Sequence, residues 1–150
     1  MARNPLLGPG PVATQPAPAA INPLAAPSVP ERHPYPGEMD YFRKNPHVAG
    51  MATEDESVII NPFKQMNPQE RAAVVMNETA RVMMRAGKVP RPEFAVTDEQ
   101  RRQFSGYGSE QDIRETIAAR ILSGDPSAGS ATPEQSEFAK SLRGLLGRAP

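Results

Sequence analysis

Apolar residues return at helical spacing only in the C-terminal half of this chain. Ala72, Val75, Thr79, Val82 and Met83 form one set, Ile113, Ile117 and Ile121 a second, Phe138, Leu142 and Leu145 a third. Recurrence every three or four residues places each set on one face of a helix. The polar residues between them supply the helix starts. Asn67-Pro68-Gln69-Glu70, Thr97-Asp98-Glu99-Gln100 and Thr132-Pro133-Glu134-Gln135 each put a capping side chain three residues before Glu or Gln, and Ser109 with Asp112 is a weaker version. Pro68 and Pro133 stand at the first helical position, where a missing N–H costs nothing. Gly87 and Gly124 supply stops. These signals predict helices over 68–86, 98–104, 110–123 and 133–146. Each apolar stripe is one face wide, so the expectation is a mainly α chain of few short amphipathic helices with little independent core.

Upstream the pattern changes. Ser57 to Ile60 is the one strand-like run, ending at Asn61-Pro62, and it predicts a short strand over 57–61. A lone strand of about four residues makes no sheet by itself, so it is expected to join an edge elsewhere or act as an apolar plug. From Met1 to Pro36 the chain is rich in Pro and Ala, with ten prolines, and Arg3 is the only ionisable side chain before Glu31. Proline fixes φ and biases the preceding residue toward extended geometry, which predicts a long extended arm. Leu6, Leu7, Val12, Ile21, Leu24 and Val29 are spaced along it as anchors for another surface. The expected organisation is an arm over 1–36, a connector over 37–65 and a small helical region over 66–150. Tyr35, Tyr41 and Phe42 cluster among Pro and Gly where arm and connector meet; they read as a loop that docks on the helices or on a partner, and join the partner-binding candidates.

Composition narrows the function classes. Lys+Arg and Asp+Glu are both 17, for a formal net charge of +0, which disfavours nucleic-acid binding by bulk charge. Only 38% of residues are apolar and 5% aromatic, below the usual globular content. No apolar run is long enough to span a membrane. The proline-rich N-terminus lacks the helical apolar region of a signal peptide, so no targeting segment is expected. With no cysteine there is neither disulfide nor thiolate metal site.

Candidate chemistry is sparse. Glu54-Asp55-Glu56 lacks the alternating ligands and bend-forming Gly of a calcium loop and reads as an acidic turn. The GYGS run at 106–109 lacks the Lys of a phosphate-binding loop, and Leu122-Ser123-Gly124-Asp125 has no nucleophile elbow and no His downstream. Arg101-Arg102 with Phe104 and Tyr107 is the best nucleic-acid candidate, but the pattern also suits a helix end packing on its neighbour. The pattern VIINP…E…VVMNETAR resembles the strand, Asn-Pro turn and active-site helix of zincin metallopeptidases. That resemblance implies zinc ligands at positions 77 and 81, yet Asn77 and Arg81 stand there, and Arg cannot ligate zinc. Glu78 and Arg81 have instead the spacing of a surface ion pair. No catalytic residue, metal or cofactor is expected.

A second resemblance covers about two thirds of the chain, from Asn45 to Leu146. The segments NPHVAGMATEDESVIINPF, NETARVMMR and RETIAARILSGDPSAGSATPEQSEFAKSL are similar to small virion-associated proteins of short-tailed bacteriophages. It implies a structural role and a location in the virion, with larger portal, tail or capsid subunits as partners in multiple copies, and carries over no catalytic residues. The other readings are a degenerate peptidase-like regulatory module and a free adaptor whose Pro-rich arm recruits aromatic-groove domains.

Overall fold

The computed structural model describes residues 29–146, and the fold is mainly α. Helix α1 (Pro36–Lys44) leads into a hairpin of β1 (Gly50–Ala52) and β2 (Val58–Ile60). Then come α2 (Pro68–Arg85), α3 (Asp98–Gln103), α4 (Glu110–Ser123), a 3-10 turn at Pro126–Ala128, and α5 (Pro133–Leu146). Helix α2 packs on the hairpin on one side and on α4 on another, and α5 packs on α4.

The helix starts follow the capping signals closely. Asn67 Oδ1 accepts from the Glu70 amide at 2.8 Å while the Asn67 amide donates to Glu70 Oε2 at 2.9 Å. Thr97 with Gln100, and Thr132 with Gln135, repeat the reciprocal pair. Both glutamines do a second job. Gln100 and Gln135 are buried and exchange amide hydrogen bonds at 2.8 and 2.9 Å, locking the start of α3 to the start of α5. At the other end of α4, Gly124 adopts φ +75, a left-handed stop.

Two expectations fail upstream of α2. Residues 36–44 are helix, not loop: Pro36 occupies the first turn, and Glu38 reaches back to accept from the Tyr35 amide at 2.7 Å. The Pro and Gly content masks a start signal of the same kind as those downstream. Nor does the 57–61 run need a foreign edge. β2 pairs antiparallel with β1, Gly50 opposite Ile60 and Ala52 opposite Val58, through an acidic turn in which the Thr53 hydroxyl bonds both the Ser57 carbonyl and amide. The other edge of β2 takes the root of the arm, the Val58 amide donating to the Pro30 carbonyl at 2.9 Å and the Arg32 amide to the Val58 carbonyl at 3.0 Å. A side chain at Gly50 would place Cβ 2.8 Å from Val74 and 3.0 Å from the Ile59 carbonyl, so only glycine lets β1 lie this close to α2.

The expectation of little independent core is also revised. Ala80, Met83 and Met84 of α2 meet Ile113, Ile117, Ala118 and Leu122 of α4 and Leu142 of α5 in one buried cluster. Val89, Phe94 and Val96, in the irregular segment between α2 and α3, complete it, with Phe94 edge-on to Phe138 at 5.7 Å. Non-periodic residues gave no helical stripe to read, which is why the core looked thinner. Glu115 clamps that segment: fully buried, it accepts from Arg91 Nη2 at 2.8 Å and Arg85 Nε at 3.3 Å.

Candidate interaction surface

The apolar stripe of α2 divides. Val82 and Met83 are buried, whereas Val75 and Thr79 are half-buried and Ala72 and Met76 are exposed, Met76 by 44%. Ala72, Val75, Met76 and Thr79 line a groove of about 410 Å³ together with Leu146 of α5 and with Glu31 and Arg71, which form an ion pair. A second hollow of about 730 Å³ shares Glu31 and Arg71 and continues over His33, Pro34, Pro62 and Met66. The arm therefore enters the body between two concavities, its root held on β2.

The predicted partner-binding residues fare differently. Leu6, Leu7, Val12, Ile21 and Leu24 lie outside the described residues. Val29 is half-buried against the chain's own core cluster, and so is less a free anchor than a pin for the arm. Tyr35 and Tyr41 are exposed, by 58% and 42%, with the Arg32 guanidinium 4.0 Å above the Tyr35 ring. Phe42 is corrected outright: it is fully buried, because α1 turns it inward. Sequence reasoning missed Phe63 and Met76, both exposed. The signal for Met76 was present, since it adjoins Val75 on a stripe that runs past the packed half of α2.

Around the arm root the charges are ordered. Arg32 pairs with Glu38 at 2.8 Å and Asp55 at 3.0 Å. The Arg32 hydrogen bond holds the Glu38 carboxyl below its usual range; Thr53, with further help from Ser57 and Arg32, does so for Asp55.

The zincin-like stretch folds into a different arrangement. Asn77 Nδ2 lies 3.4 Å from Ser123 Oγ, and Arg81 Nη1 lies 3.6 Å from Glu78 Oε2. This pair is not on the surface, as its spacing suggested: Glu78 is 7% exposed, because the second half of α2 is sandwiched between hairpin and α4. Burial pushes the Glu78 carboxyl up, against the pull of Arg81, Arg85 and Arg120. Glu78 Oε2 and Arg81 Nε accept and donate no hydrogen bond. Among the described residues no three His, Cys, Asp or Glu side chains converge as a metal-binding group, and no helix is long and apolar enough to cross a membrane. The Arg101 region is likewise occupied internally. Phe104 is buried under the Arg120 guanidinium, and Arg101 bonds Asp98 and Glu110. No family model, curated protein or solved structure matches this chain.

Proposed function

We propose that this chain is a non-enzymatic accessory component of a bacteriophage particle, bound in several copies to larger portal, tail or capsid subunits. The observation that carries the binding part is the open apolar groove of α2, on a body whose capping groups and core are otherwise satisfied internally. Apolar side chains lining an open groove offer a docking partner area to remove from water. Tyr35, Tyr41 and Phe63 are also exposed, and aromatic residues are favoured at protein contacts. The virion part rests on the resemblance over residues 45–146. Balanced charge suits docking on protein rather than on phosphate. The non-enzymatic part rests on residue chemistry: at the positions where a zincin helix carries its ligands, Asn77 faces Ser123 and Arg81 faces Glu78.

Quantitative mass spectrometry of purified particles, with cross-linking, tests this reading. The expected result is a defined copy number, with cross-links from Lys64 or Lys88 to one larger subunit. Absence from washed particles would overturn it.

A further inference from the structure

The α2 groove has a candidate occupant within the chain itself. We propose that, in the free protein, Ile21 and Leu24 of the N-terminal arm seat in the groove formed by Ala72, Val75, Met76 and Leu146, so that a partner must displace the arm to bind. The arm root places this segment correctly. Val29 packs against the core cluster, and Glu31, two residues on, lines the groove itself and pairs with Arg71 on its α2 wall. At about 3.1 Å per residue in extended polyproline geometry, Leu24 lies within roughly 15 Å of Val29 and Ile21 within roughly 25 Å. Pro23 and Pro27 favour that geometry. With three residues per turn, Ile21 and Leu24 fall on one face, about 9 Å apart. The helical wall from Ala72 to Thr79 is about 10 Å long, so two anchors at that spacing match it.

Chemistry agrees with reach. Residues 4–30 carry no charged side chain, and the groove's lining is mostly apolar, its two charged residues neutralising each other as a pair. Residues 147–150 are a poorer occupant: Gly147-Arg148-Ala149-Pro150 has no large apolar side chain. A short tether also gives the arm an effective concentration near the millimolar range at its own groove, so modest affinity is enough for occupancy. The inference rests on the groove being an interaction surface and adds that the chain's own arm competes for it.

Methionine footprinting of the full chain tests this. Met76 is oxidised by dilute peroxide when its sulfur is open and spared when it is covered, and mass spectrometry reads its rate against Met66. The expected result is slow Met76 oxidation in the native chain, severalfold faster in an Ile21→Asp/Leu24→Asp variant, and independent of protein concentration. Equal rates in the two chains would overturn the proposal, whether Met76 is fast or slow in both. Protection that grows with concentration would overturn it in favour of a second copy. A footprint that fails while particle incorporation succeeds defeats only this inference; absence from particles with a positive footprint defeats only the assembly reading.

Discussion

The two halves of α2 share a helix and a similar apolar content but meet opposite surroundings. From Pro68 to Met76 no residue is buried; from Asn77 to Arg85, Glu78, Ala80, Val82, Met83 and Met84 all are. The second half enters the core through Ala80, Met83 and Met84, while the first meets the hairpin where Gly50 approaches Val74. One amphipathic stripe therefore serves two purposes. Its C-terminal part holds the body together, and its N-terminal part lines the groove. Apolar periodicity reports that a face is to be buried, not by what.

Truncating a methionine in each half should separate these roles most sharply. Met83→Ala removes a fully buried side chain from the central cluster and should cost about 2–5 kcal/mol. Met76→Ala should stay within about 0.5 kcal/mol, as substitutions at exposed positions usually do. Urea denaturation of both variants measures the contrast, and similar losses would mean that the open half is part of the fold.

Glu115→Ala tests the clamp that keeps the buried half enclosed. It removes charge-assisted hydrogen bonds to Arg85 and Arg91, each partner remaining half in solvent, and should cost about 1.5–3 kcal/mol. Hydrogen exchange should rise first in residues 87–97. Unchanged exchange there would show that Phe94 and Val96 hold the segment without it.

A smaller effect is expected from pH. Burial raises the Glu78 carboxyl, so the folded state holds its proton more tightly than the unfolded chain. Stability from this group is full below the ordinary glutamate range and is lost as pH rises through the raised folded value. Glu78→Gln should flatten that decline. Glu38 and Asp55, which are depressed, act in the opposite sense, their contribution being lost as pH falls through their lowered values. Stability curves of wild type and Glu78→Gln with the same slope above the glutamate range would refute the assignment.

Legibility in the sequence tracked locality. Helices α2 to α5 were readable because their caps lie within three residues of one another, as in Asn67 with Glu70 and Thr132 with Gln135. What those caps meet across the fold was not readable. Nothing near Gln100 indicates that its amide finds Gln135 thirty-five positions away, or that Arg91 finds Glu115. Phe42 was misread because a proline- and glycine-rich setting suggested a loop, when Pro36 and Glu38 mark a helix start. The pairing of β2 was missed since its partner, Gly50–Ala52, has no strand-like composition. For the candidate surface, Tyr35 and Tyr41 stand out in the sequence only as aromatics clustered among Pro and Gly, while the groove depends on where the packing around α2 ends, which no local pattern records.

The central claim, that the open half of α2 is the surface joining this protein to its assembly, is tested most directly by Met76→Asp. The copy number of that variant in purified particles should be measured beside its denaturation midpoint. A charge placed on the groove floor should lower incorporation severalfold while the midpoint stays near wild type, because Met76 lies outside the buried cluster. Full incorporation at wild-type stability would contradict the claim.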